Sequence, residues 1–376
     1  MPIKGALTLF FYLATVVALP LLAVGASGRQ IAPFFTFPPR TQLMAPEPFS
    51  WPAFWLVTLI IVVSLAPFLQ KISRTSGPRQ TSMRYRGSFP GFGWLGLVLI
   101  GVTWVVAWNR FPWASSLQRF TFTPLWLGYI VVVNALIVTR SGACPMTSET
   151  RLFITLFPLS AFFWWSFEYL NRFVNNWYYP DTQSLGAGQY VLEVTLPFST
   201  VLPAVYSTAV WLATFPSLAR GLDRLIAPRP AVAAGKPFVM LAVAALLLVS
   251  TAARPTLLFP LVWIAPPLLM AGLQQLLFGH SLLHCAFASG DFRRLWCFAL
   301  AGLVCGLFWE LWNFRSLAHW EYQIPYVGRF HLFAMPLLGY AGYLPFGIAC
   351  ATFIDSAKVA FEREDTTLAG KGGAAV

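Results

Sequence analysis

The chain has 376 residues, 57% of them apolar and only 10% charged, and its mean hydropathy is +0.66. That balance excludes an ordinary water-soluble enzyme of this size and a disordered chain. The formal net charge of +12 is dispersed among loops, so it encodes membrane orientation rather than a nucleic-acid-binding surface, and no nucleic acid is expected among the partners.

Apolar runs of roughly twenty residues, each enough to cross a hydrocarbon core of about 30 Å, recur about ten times. They cover 5–25, 50–69, 91–109, 123–140, 151–171, 190–216, 236–252, 255–278, 293–313 and 329–354, and they predict an all-α integral membrane protein. The N-terminal segment 1–28 around the first run carries a single cation, Lys4, and ends in Ala26, Ser27 and Gly28, so it also fits a cleaved signal peptide. A Pro- and Phe-rich connector follows at 32–52. Lys71, Arg74, Arg79, Arg84 and Arg86 crowd the loop after the second run; Arg140 and Arg151, Arg220, Arg224, Arg229 and Lys236, then Arg293 and Arg294 occupy later loops on the same side. The positive-inside rule therefore predicts a multi-pass inner-membrane protein with both termini cytoplasmic and the loops 172–189 and 314–328 on the outer side.

The segment FFWWSFEYLNRFVNNWYYP at 162–180 has a counterpart in CGLFWELWNFRSLAHWEYQIP, 305–325. Glu168 with Asn171 matches Glu310 with Asn313, and Trp177 matches Trp320. Both segments run into a span carrying paired prolines, LPFSTVLP and MPLLGYAGYLP. These matches predict an N-terminal pair of spans with a basic loop (1–90), two four-helix repeats in parallel orientation (91–217 and 236–354), and a disordered cytoplasmic tail (355–376).

Residues at i and i+3 share a helix face, so each Glu-x-x-Asn forms one polar patch near the outer end of its span. An interfacial anchor explains a lone glutamate ringed by Trp and Tyr, but not its duplication with a spaced asparagine. The alternative is a cavity between the two units. In it Glu168 and Glu310 act as acid and base, and Asn171 and Asn313 orient their carboxyls. Trp164, Trp165, Trp177, Tyr178, Trp309, Trp312, Trp320 and Tyr322 form the aromatic wall, with Glu193, His319 and His331 as further polar contacts. Arg315, His319 and His331 lie near Glu310 in sequence and amides and phenols near Glu168, which casts Glu168 as proton donor and Glu310 as its ionised partner. An acid inside a cage of π-faces is equipped to protonate an alkene or epoxide and to guide the cation formed. This equipment is similar in chemistry to that of integral-membrane lycopene cyclases and triterpenoid cyclases, although neither a Pro-x-Glu-Glu motif nor a DxDD run is present.

His280, His284 and Cys285 in GHSLLHC have ligand-like spacing but no nearby acidic partner, so no metal is expected, and the five cysteines read as packed thiols. No P-loop, GxGxxG or GxSxG is found, and no cofactor is expected. The sequence thus points to a membrane-embedded enzyme acting on an isoprenoid or other lipid, of cyclase, isomerase or hydratase type. The same features also fit a proton-coupled transporter or lipid-handling protein, or a non-catalytic subunit of a membrane complex. Oligomeric state is left open.

Overall fold

The computed structural model describes residues 2–39, 47–75, 87–182, 184–228 and 237–372, the side chains of Pro2, Asp181 and 359–372 excepted. Of the loop cations, Arg79, Arg84, Arg86, Arg229 and Lys236 lie outside the described residues.

The chain is helical almost throughout. The helices are α1 (Pro2–Ala26), α2 (Trp51–Arg74), α3 (Gly91–Trp108), α4 (Phe122–Ser141), α5 (Pro145–Ser148), α6 (Thr150–Val174), α7 (Ala187–Phe198), α8 (Val201–Ala213), α9 (Pro237–Ala253), α10 (Pro255–Leu258), α11 (Ala265–Phe278), α12 (Leu282–Ser289), α13 (Arg293–Asn313) and α14 (Tyr343–Gly372). Among the described residues, four two-residue strands, β1 (Trp177–Tyr178), β2 (Glu321–Tyr322), β3 (His331–Leu332) and β4 (Met335–Pro336), form two antiparallel pairs, β1 with β2 and β3 with β4.

Among the described residues, seven helical segments are long and apolar enough to cross a membrane: α1, α2, α3, α4, α7 with α8, α13 and the start of α14. Counting the bent run Pro255–Phe278 as one span makes eight, fewer than the ten of the sequence reading. The other two expected spans are helical but fall short on different grounds. The apolar α9 has only 17 residues, and the 25-residue α6 carries Arg151, Glu168, Asn171 and Arg172. Helix α14 runs to Gly372, into the segment that the sequence reading gives as a tail from 355. Arg294 of α13 pairs with Asp355 at 3.0 Å, and Lys358 pairs with Glu149 at 3.3 Å, which ties this extension to the bundle.

Local chemistry sets the helix ends. Ser50 caps α2 through Ala53 N–H, Pro52 fits its first turn, and Lys71 and Arg74 complement its C-terminal dipole. Asn175, at φ 50°, closes α6 in the left-handed region that Asn tolerates better than most residues. Between α7 and α8 the helix breaks near Pro197. There the Ser160 hydroxyl of α6 donates to Phe198 C=O (2.5 Å) and accepts from Leu202 N–H (3.0 Å), standing in for the backbone bond that the break removes.

The core lies where α6, α8, α13 and α14 meet. Small residues allow α13 and α14 to approach closely. A Cβ on Gly302 would fall 2.3 Å from Tyr343 O, and one on Gly347 would fall 2.0 Å from Phe298 O. The N-terminal helix is one wall of this bundle: Tyr12 is fully buried, edge-on to Phe353 at 4.9 Å, with its hydroxyl on Ser166 at 3.1 Å. By contrast, α2 has no fully buried residue and touches the bundle at its two ends.

Candidate functional site

The two Glu-x-x-Asn pairs sit at the C-terminal ends of α6 and α13, and each is completed by the loop that follows. Glu168 Oε1 accepts three hydrogen bonds, from Trp164 Nε1 (3.0 Å), Trp177 Nε1 (2.9 Å) and the Tyr179 hydroxyl (2.7 Å). Glu310 Oε1 accepts two, from the hydroxyls of Tyr322 (2.5 Å) and Tyr343 (2.6 Å), and Trp320 Nε1 donates to Tyr322 in turn (2.6 Å). Glu310 Oε2 is buried with no hydrogen-bond partner among the described residues. Glu310 is fully buried and Glu168 nearly so.

The asparagines do not touch the carboxyls, contrary to the sequence reading. Asn171 donates to Trp177 C=O (2.7 Å) and accepts from Asn176 N–H (2.8 Å). Asn313 binds both N–H and C=O of Trp320, each at 2.8 Å. Each amide thus folds its loop back over the helix end and delivers a Trp-x-Tyr segment to the carboxylate beneath. The two segments then meet in a short antiparallel ladder that pairs Trp177 with Tyr322 and Tyr178 with Glu321.

In front of the ladder is a cavity of about 760 Å3, within the size range of small-molecule sites, and its lining is overwhelmingly apolar. Trp164, Trp177, Glu193, Trp309, His319, Trp320 and Tyr322 line it, together with Tyr179 and Tyr343. Glu168 and Glu310 do not: they lie behind the aromatic wall, and the phenols of Tyr179 and Tyr322 stand between carboxylate and cavity. Phe346 links the two halves, with ring centroids 5.5 Å from Trp164 and 5.6 Å from Trp309.

Other expected wall residues fall elsewhere. Trp165 turns to α7, donating to Thr195 at 3.0 Å. Trp312 is buried beside Trp126 at 5.1 Å, in the helix core. Tyr178 donates to Glu321 on the outer face of the ladder, and His331 is exposed on β3. Glu193 reaches the cavity already paired with Arg119 at 3.6 Å.

The charges expected around Glu310 are also misplaced by sequence proximity. The His319 ring lies 3.5 Å from Glu321, and the Arg315 guanidinium lies 5.8 Å above the Trp108 ring. It is Glu168 that has a cation in its surroundings, Arg172, whose guanidinium donates to Phe34 and Thr36 carbonyls.

Burial, followed by the adjacent Glu168, pushes the Tyr179 phenol well above its ordinary pKa. Burial and Glu310 do the same to Tyr322. Both remain hydroxyl donors at neutral pH.

Tyr179 and Tyr343 are the participants that the sequence reading did not name: it took the neighbouring Tyr178 for the wall, and Tyr343 arrives from the next helix. The Trp-x-Tyr shared by the loops after each Glu-x-x-Asn is the signal that points to Tyr179 as well as Tyr322.

On the opposite side, His284 lies on α12, whose N-cap is Ser281, and His280 borders a small polar pocket with Arg294, Asp355 and Lys358. Among the described residues no three His, Cys, Asp or Glu side chains are grouped to hold a metal ion. All five cysteines are unpaired, four of them buried and Cys285 exposed. Compared with known protein families, curated proteins and solved structures, the chain matches none.

Proposed function

We propose that this is a membrane-embedded enzyme that moves protons on an isoprenoid or other lipid, at two Tyr–Glu pairs facing one apolar cavity. The observation that carries the reading is the pairing itself: Tyr179 with Glu168 and Tyr322 with Glu310, each phenol on the cavity wall and each carboxylate sealed behind it. An interfacial anchor has no need of a carboxylate enclosed by phenol and indole donors.

In this reading the two units, 91–217 and 236–354, are parallel repeats, the β1–β2 ladder lies at their pseudo-symmetry axis, and both centres face the outer side of an inner membrane with the termini inside. At the accepting centre, a proton leaves substrate carbon for the phenol oxygen while the phenol proton passes to the carboxylate. At the donating centre the same chain runs in reverse, so the substrate gains one proton and loses one and the net reaction is an isomerisation or cyclisation; each turnover leaves Glu168 protonated and Glu310 ionised, and exchange with water at the polar end of the cavity takes a proton from Glu168 and returns one to Glu310. A cation formed between the two steps is held by the faces of Trp164, Trp177, Trp309 and Trp320.

We assign the two roles the other way round from the sequence reading, on the hydrogen bonds that each carboxylate receives. Three donors converge on one oxygen of Glu168, an arrangement that holds negative charge and suits the acceptor. Glu310, with one oxygen unpartnered, is assigned as the donor.

Lipid extraction and mass spectrometry of cells with and without the gene tests the proposal. A lipid that accumulates in the deletion, matched by loss of an isomer, is expected. Lipid profiles that coincide, with transport of a lipid across vesicles by the purified protein, would favour a lipid-handling role instead.

A further inference from the structure

The cavity is far longer than the reacting region at its outer end. Because α13 leads directly into the loop of β2, the start of α13 and the aromatic ladder lie at opposite ends of the molecule. Yet Phe292, Leu295, Trp296 and Ala299, at the start of α13, line the same cavity as Trp309 and Trp320. At 1.5 Å per residue, the helix from Phe292 to Trp309 makes the cavity roughly 25 Å long, close to the depth of a bilayer's hydrocarbon core.

The far wall is α2. Its half-buried residues Phe54, Val57, Ile61, Leu65 and Phe68 recur at helical spacing and form one inward stripe, with Ala53, Thr58, Lys71 and Ile72 half-buried beside it and the remaining residues exposed. At one end Trp51 and Phe54 pack on Phe330, at 6.1 and 5.6 Å, and Ser50 N–H bonds Tyr326 C=O at 2.8 Å. At the other end Phe68 stacks on Trp296 at 5.1 Å, and Thr75 seats against Gly221, where a Cβ would fall 2.2 Å from the Thr75 hydroxyl. Between these clamps Val57, Ile61 and Leu65 face the cavity.

Polarity is graded along the slot. Arg119, Asn176, Tyr179, Glu193, His319 and Tyr322 gather at the ladder end, and beyond them the lining is apolar apart from Ser64. A compact or two-headed molecule does not match this gradient.

We infer that the slot between α2 and α13 holds one extended, single-chain amphiphile. Its polar or reacting end lies at the Tyr–Glu ladder and its tail runs toward Phe292 and Trp296. The inference deepens the proposed function by naming the substrate class, and it rests on that reading only for which end reacts.

Photolabelling of the full-length protein in its own membranes tests it. Two probes are used, both long-chain primary alcohols of arachidyl length, one with a diazirine beside the hydroxyl and the other with it at the tail end. The head-tagged probe is expected to mark 176–182 and 317–322, and the tail-tagged probe 292–299 and 65–68. Ala299→Trp, which fills the inner end, is expected to abolish tail labelling while head labelling persists. Tail labelling is expected to survive in Tyr322→Phe, so failure of the chemistry and failure of the slot are read separately. Both tags on the same segment, labels spread over the exposed faces of α3 and α9, or equal labelling by a two-chain phospholipid probe would overturn the inference.

Discussion

Tyr322 and Glu310 act as one unit if the proton passes through the phenol, and removing either member breaks the same chain. Tyr322→Phe and Glu310→Gln are therefore each expected to lower turnover about 10²–10⁴-fold, and the double variant little further, as measured by product formation in isolated membranes. Losses that multiply would show that the two groups act separately. Asn313 has a different office. Its amide makes two hydrogen bonds to Trp320 from a buried position, so Asn313→Ala is expected to destabilise the protein by about 1–3 kcal/mol and to lower its thermal midpoint in detergent. The Glu-x-x-Asn spacing was legible in the sequence because it repeats. The asparagine's role was not, because its partners lie five to seven residues onward in a loop whose fold the spacing does not determine. Arg315 and His319 mislead for the same reason: nearness along the chain places them beside Glu310, whereas the turn after α13 carries them to Trp108 and Glu321.

Among the elements, the break between α7 and α8 and the crossing of α13 with α14 shape the cavity. The paired prolines made the break legible, but Ser160, which makes it tolerable in an apolar setting, comes from another helix and leaves no local signal. Ser160→Ala leaves Phe198 C=O and Leu202 N–H without that hydroxyl, and a loss of about 1–3 kcal/mol of stability is expected, read from thermal unfolding. Gly306 presents a sharper case, since a Cβ there would lie 2.3 Å from the Tyr343 ring. Gly306→Ala is expected to displace that ring and remove its hydrogen bond to Glu310, impairing turnover more than folding. Wild-type activity in this variant would remove Tyr343 from the site. Apolar periodicity found α1 to α4 readily. Its count of about ten is not confirmed, since among the described residues seven helical segments, or eight with the bent run, are long and apolar enough to cross, α6 carrying polar residues and the described part of α9 being 17 residues long.

For the molecule as a whole, the apolar composition announced a membrane protein, and its helices support that. What composition does not encode is the cavity, which arises from how α2 stands away from the bundle between two clamped ends. The orientation proposed from the loop cations is open to a direct check. A cysteine at Ser184 is expected to react with a membrane-impermeant maleimide in intact cells, and the native exposed Cys285 only after the membrane is opened. The reverse pattern would place the Tyr–Glu ladder on the inner face.

The central claim is proton transfer to carbon, and isotope uptake measures it. Membranes containing the protein, incubated in heavy water with their own lipids, are expected to yield one lipid carrying deuterium that does not wash out on return to ordinary water. Membranes containing Glu310→Gln are expected to yield none. A wild-type protein that leaves every lipid unlabelled, or a Glu310→Gln variant that labels as well as wild type, would contradict the account.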